Sequence, residues 1–172
     1  ANLEHVTKLA MKRATAICNS GLGHECVWQH CNGIFLPSVT YSFAVSSIKE
    51  PKLEKLQSRV AQMYLPRLGY SRNTPKAVVY GPVEYGGLGF KDLYLEQGLA
   101  ALEPIAKHLR AGTEAGKLIP IALPWNQHVA GASKPILEDT GTPLPHLEVW
   151  AIFFPEFRRF LNGAGARLEV AR

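Results

Sequence analysis

Residues 52–98 read KLEKLQSRVAQMYLPRLGYSRNTPKAVVYGPVEYGGLGFKDLYLEQG, and their apolar spacing leaves little choice of fold. Leu53, Leu56, Val60 and Met63/Tyr64 recur at three- and four-residue steps, the period of a helix with one apolar face. Lys52, Lys55 and Arg59 flank that face. Pro51 suits the first position of such a helix, and Pro66 with Gly69 closes it. Thr74-Pro75 marks another start, a capping hydroxyl before a proline. Residues 76–80 therefore read as a short helix ending at Gly81, although Val78, Val79 and Tyr80 in a row suit a short strand equally. GPVEYGGLGF, residues 81–90, holds four glycines and one proline and predicts a turn or hairpin with positive-φ positions. It has neither GxGxxG spacing nor a following Gly-Lys-Ser/Thr, so it is not a phosphate loop.

Helical spacing continues on both sides. Leu3, Val6, Leu9/Ala10, Ala14 and Ile17 predict an amphipathic helix ending near Asn19-Ser20-Gly21. A second begins near His24, with Val27, Cys31 and Phe35 on one face, until Pro37 ends or kinks it. VTYSFAVSSI, residues 39–48, suits a strand or a resumed buried helix, and periodicity does not decide between them. Asp92 can cap a helix through about Arg110, with Leu95, Leu99, Leu102, Ile105, Ala106 and Leu109 inward. Pro104 in that run conflicts with a continuous helix by about 3 kcal/mol. Leu118, Ile119, Ala122, Trp125 and Val129 predict a further helix interrupted by Pro120 and Pro124. A last aromatic helix spans about 147–161, with Trp150, Phe153, Phe154, Phe157 and Phe160/Leu161 apolar and Arg158 and Arg159 near its end, where cations suit the dipole.

The 172 residues suffice for one domain with a core, and 47% hydrophobic with 19% charged residues is globular composition. No apolar run is long enough to span a bilayer. The opening ANLEHVTKLAMKR does not read as a secretory signal, lacks an initiator Met and falls at the edge of a helical pattern. The expectation is a piece of a longer, intracellular (nuclear or cytoplasmic) protein, and the odd number of cysteines fits a reducing compartment.

Net charge is +5, and its placement is uneven. Lys49, Lys52, Lys55, Arg59, Arg67, Arg72 and Lys76 face only Glu50 and Glu54 within residues 49–76, while the rest of the chain balances twelve cations with twelve acids. A local basic stripe is the electrostatic footprint of a polyanion contact, and it also suits an ordinary solvated helix face. Cys18, His24, Cys26, His30 and Cys31 include zinc-ligand types, but their order does not match paired CxxC and HxxxH spacing. A shared face with Val27 and Phe35 assigns Cys31 to the core. His5, His108, His128 and His146 are scattered, and Glu96 and Glu103 do not make an acid–base pair by spacing alone.

A family resemblance rests on the same central block. Its residues are Leu36-Pro37-Ser38-Val39-Thr40-Tyr41-Ser42, Leu53-Glu54-Lys55-Leu56-Gln57 and Leu65-Pro66-Arg67-Leu68-Gly69-Tyr70-Ser71-Arg72-Asn73-Thr74-Pro75. Val78-Val79-Tyr80-Gly81-Pro82, Gly86-Gly87-Leu88-Gly89, Asp92-Leu93-Tyr94 and Glu96-Gln97-Gly98 follow, with weaker likeness through residues 107–110, 115–118 and 137–140. This pattern resembles the segment after the catalytic palm in reverse transcriptases of non-LTR (LINE-like) retroelements. The resemblance implies a helical thumb and the connection after it, which in such polymerases track the template–primer duplex. Two departures qualify it. Asp92 and Asp139 are the chain's only aspartates, so the paired-aspartate motif that holds two metal ions is missing and this piece cannot polymerise alone. Pro104, Pro120 and Pro124 fall where the family pattern is helical.

The expected fold is mainly α, a thumb-like helical bundle with a glycine-rich turn or short hairpin and a helical C-terminal extension. Its expected parts are lead-in helices in 1–47, the thumb-like core in 48–111 and the extension in 112–172. Lys52, Lys55, Arg59, Arg67, Arg72 and Lys76 are the expected contacts to a sequence-tolerant RNA/DNA duplex, with Tyr70 beside a sugar or base. The fragment is expected to carry no cofactor, whereas the parent polymerase would need a divalent metal such as magnesium; a missing palm domain is the second expected partner, and a membrane is not one. The competing reading is a protein-interaction domain docking through the aromatic helix near 150–161 or the apolar front of residues 52–65.

Overall fold

The computed structural model describes residues 2–144 and 153–169, and among them it is mainly helical with no strand. The helices are α1 (Asn2–Cys18), α2 (His24–His30), α3 (Leu36–Thr40), α4 (Glu50–Arg67), α5 (Lys76–Tyr80), α6 (Leu93–Ala111), α7 (Glu114–Ala130) and α8 (Phe153–Gly163). The chain forms two compact units, one of residues 1–43 and 48–96, the other of residues 44–47 and 97–172.

In the first unit α4 packs against α1 and α2. Val6, Ala10, Ala14 and Ile17 of α1 are buried, as the spacing requires, and so are Leu53, Leu56, Val60, Tyr64 and Leu65 of α4. Each large side chain removed from water in this way contributes roughly 1.5–3 kcal/mol. Pro51 occupies the first turn of α4, where its missing N–H is not needed. The helix ends in a Schellman motif: Gly69 is left-handed (φ 85°), its N–H bonds the Pro66 carbonyl, and the Tyr70 N–H reaches back to Leu65.

Pro37 does not end the helical run. A π-helical turn, Cys31–Phe35, joins α2 to α3, and the Leu36 N–H bonds the Cys31 carbonyl five residues back. The wider turn admits a proline that an uninterrupted α-helix would clash with. Val27, Cys31, Phe35 and Val39 stay buried across the junction. Beyond α3, residues 39–48 form neither a strand nor one resumed helix: α3 ends at Thr40, and a single 3₁₀ turn, Phe43–Val45, follows.

Residues 76–80 are helical, which settles the helix-or-strand ambiguity. Thr74 does not cap this helix: its hydroxyl donates to the Ser71 carbonyl at 2.7 Å, and Pro75 takes the capping position. The glycine-rich segment then folds back on α5. Leu88 and Phe90 N–H groups bond the Val78 and Val79 carbonyls at 2.7 and 3.0 Å. That return needs glycine at two kinds of position: Gly86 is left-handed, and a Cβ on Gly87 would overlap the Gly81 carbonyl.

α6 begins where the Asp92 carboxylate accepts the Tyr94 and Leu95 N–H groups at 2.8 and 3.0 Å. It runs unbroken through Pro104. The inward face differs from the leucine pattern, because Leu95 and Leu99 are exposed while Leu93, Gln97, Gly98 and Ala101 are buried. In the second unit a Cβ on Gly98 would overlap the Phe160 ring, so the smallest residue, not the largest, marks the contact. α7 starts at Thr113, whose hydroxyl accepts the Gly116 N–H, and is continuous through Pro120 and Pro124. In α8 Phe157, Phe160 and Leu161 are buried; Trp150 and the predicted start near 147 lie outside the described residues. Arg158 does not sit free at a helix end. It is buried, and its guanidinium donates to the Asp139 and Thr142 carbonyls.

Candidate nucleic-acid interface

At 100° per residue, Lys52, Lys55 and Arg59 fall within roughly 60° of one another on α4. All three are exposed, and among the described residues none pairs with a carboxylate. Their placement follows from the core: Leu53, Leu56, Val60 and Tyr64 hold the opposite arc inward, so the cations point to water. From Lys52 to Arg59 the rise is about 10 Å. That is the axial length of about three phosphates on one strand of a duplex.

The other three predicted contacts divide. Arg72 is exposed in the loop after α4. Arg67 is half-buried and turned inward, donating to the Ser20 carbonyl at 2.6 Å and the Leu22 carbonyl at 3.0 Å. It thereby fixes the turn that links α1 to α2. Lys76 forms an exposed ion pair with Glu54. The hydrogen bond to Glu54, then its charge, raises the Lys76 pKa, and the same hydrogen bond lowers that of Glu54. The six residues thus comprise three cations on one helix face, one on a loop, one clamp on backbone carbonyls and one salt-bridged lysine. The carbonyl clamp was not legible from charge counting; a basic residue in the last turn of a helix, where it can reach turn carbonyls, was the available signal.

Beside Lys76 lies a polar cleft of about 180 Å³, lined by Glu50, Glu54, Gln57, Ser58, Tyr80 and Asp92 among others. Gln57 is buried and accepts the Leu93 N–H at 2.8 Å, tying the start of α6 to α4. Three carboxylates make this cleft unattractive to a phosphate, and the positive arc of α4 is that of Lys52, Lys55 and Arg59, not the Lys76 side. Tyr70 is exposed, as is Tyr85 on the glycine-rich turn.

The cysteine–histidine group is dispersed: Cys31 is in the core, Cys18 and His30 are partly buried, and His24 and Cys26 are exposed. Cys31 is buried, and burial pushes its thiol up to about 12. The Cys18 thiol donates to the Met63 carbonyl at 3.3 Å, and His30 Nδ1 lies 3.0 Å from the Tyr64 hydroxyl. Among the described residues no group of three or more His, Cys, Asp or Glu side chains is placed to hold a metal ion. Both aspartates are engaged locally, Asp92 on α6 and Asp139 with Thr142. Leu53, Leu56, Val60, Tyr64 and Leu65 of α4 and Phe157, Phe160 and Leu161 of α8 are buried, while Phe153 and Phe154 are half-buried. No described helix is long and apolar enough to cross a membrane. Compared with known proteins, the chain matches no family model, no curated protein and no solved structure.

Proposed function

We propose that this chain is a non-catalytic part of a non-LTR retroelement reverse transcriptase, covering the thumb and the region after it. In this reading it grips the template–primer duplex through α4, and a palm domain elsewhere in the parent carries the paired aspartates and metal ions. The observation that carries the proposal is the set Lys52, Lys55 and Arg59: three cations, unpaired among the described residues, on one solvent arc of a helix whose other arc is core. Arg72 extends the set into the following loop. Arg67 is engaged with the Ser20 and Leu22 carbonyls and Lys76 with Glu54, so the proposed phosphate contact is narrower than the charge count. The sequence resemblance supplies the choice of nucleic acid over other polyanions.

Backbone contacts of this kind bind without regard to sequence and weaken steeply with salt. Three phosphate contacts give a slope of about −2.7 in log affinity against log salt, a loss of roughly 40-fold between 50 and 200 mM. Fluorescence anisotropy with a labelled RNA–DNA duplex measures this. Lys55→Glu with Arg59→Glu should lower the slope by at least about 1.8 and weaken binding. Salt-independent affinity, or affinity unchanged in that double variant, removes the proposal.

A further inference from the structure

A second cleft, of about 420 Å³, lies wholly within the second unit. One wall comes from residues 134–141 and the other from Asn162 and residues 165–167. Both walls are fixed by bonds of their own. After α8 the chain reverses at left-handed Gly165, with the Ala166 N–H on the Leu161 carbonyl, and the Leu168 N–H then reaches the Leu137 carbonyl at 3.2 Å. In the first wall the Asp139 carboxylate accepts the Thr142 N–H and hydroxyl at 3.3 and 2.7 Å, so it is committed to its own turn. Arg158 reaches the same turn from α8 and donates to the Asp139 and Thr142 carbonyls. This guanidinium is 95% buried, forms no salt bridge among the described residues, and its Nε finds no acceptor there. An orphaned buried polar atom calls for an explanation, and a buried charge is screened far less than one at the surface. Its field adds to that of Lys134 and Arg167, which line the cleft itself. Three cations thus stand against Glu138 and the already engaged Asp139.

We propose that this cleft binds a small hydroxyl-bearing phosphate ester, of sugar-phosphate size. Lys134 and Arg167, one from each wall, take the phosphate, and Glu138, Thr140 and Asn162 take the hydroxyls. The volume falls within the roughly 300–1,000 Å³ usual for small-molecule sites. A phosphate monoester carries about −1.5 to −2 charge near neutral pH, enough to answer two cations at once. A guanidinium also matches phosphate oxygens in a fork that a single carboxylate fills less completely. Glu138 accepts from hydroxyl groups and repels a bare anion, so it favours the ester over inorganic phosphate. Among the described lining residues there is no aromatic ring, so nothing is placed to stack on a nucleotide base. The cleft shares no residue with the cations of α4 and is independent of the duplex-binding reading.

Isothermal titration calorimetry of the whole chain tests the proposal, with glucose 6-phosphate, inorganic phosphate and glucose at one fixed ionic strength, up to about 10 mM. Glucose 6-phosphate should bind at least about 10-fold more tightly than phosphate, and glucose should not bind measurably. Lys134→Ala and Arg167→Ala, both at exposed positions, should each weaken glucose 6-phosphate by about 10-fold with unchanged far-UV circular dichroism. Lys117→Ala, on α7, should leave its affinity as it is. Glu138→Ala should cut the preference for glucose 6-phosphate over phosphate by about 5-fold or more. Absence of saturable glucose 6-phosphate binding would overturn the proposal. So would glucose or phosphate binding as tightly as the ester, or an affinity indifferent to both Lys134→Ala and Arg167→Ala.

Discussion

α4 and α7 have 18 and 17 residues, both contain proline, and both show apolar residues at helical spacing. They use that spacing oppositely. In α4 the apolar arc is core and the cations are outside; in α7 the bulkiest apolar side chains face water. A periodic pattern therefore states which residues gain from leaving water, and only the neighbouring elements decide whether they do. α4 is met by α1 and α2, whereas among the described residues the row of Leu118, Ile121, Trp125 and Val129 on α7 is exposed.

The sharpest way to break this contrast is truncation on each helix. Tyr64 is fully buried beneath His30 and Phe35, and Tyr64→Ala should destabilise by about 4 kcal/mol. Trp125→Ala, although it removes a larger ring, should stay within about 0.5 kcal/mol. Urea unfolding followed by circular dichroism reads both. Equal costs would mean that α7 is as enclosed as α4.

Within α4 the same contrast separates two kinds of cation. Arg67→Met leaves the Ser20 and Leu22 carbonyls without their donor and should cost about 2 kcal/mol. Lys55→Ala should cost less than about 0.5 kcal/mol. In duplex binding the order should reverse, with Lys55→Ala reducing the salt slope by about 0.9 and Arg67→Met leaving it unchanged. A slope change at Arg67 with none at Lys55 would invert the assignment of roles.

Much of the helical layout was legible because it rests on local rules. The spacing in α1 and α4, Pro51 at a helix start, Gly69 at a helix end and Asp92 as a cap each act within a few residues. What stayed hidden depends on distant partners. Nothing near Gly98 announces the Phe160 ring, so the face of α6 was assigned by its leucines. Prolines 104, 120 and 124 were expected to interrupt; each removes one backbone bond, and the helices continue through all three. The cations of the candidate interface were visible as a cluster. Which of them bond to carbonyls, and which to Glu54, was decided by chain reversals at residues 19–23 and 68–75 that charge patterning does not encode.

A smaller effect tests whether the enclosure of α4 extends to its polar atoms. His30 sits against Tyr64, and its pKa is lowered first by burial and then by the charge of Arg13. Burial raises the Tyr64 pKa, so its hydroxyl keeps its proton and can donate to a neutral His30 Nδ1. Folding thus favours the neutral imidazole. The contribution is complete above the unfolded pKa of about 6.5 and is lost as pH falls from there through the lower folded value. Melting temperature measured from pH 7.5 down to 5 should fall more steeply in the parent than in His30→Gln, with His128→Gln on exposed α7 as the control. Arg13→Ala should soften the same slope, since it removes the cation that adds to the burial effect. If His30→Gln leaves the pH profile as steep as before, the imidazole is hydrated in the folded chain, and the α1–α2–α4 contact is looser at its polar edge than its apolar side chains indicate.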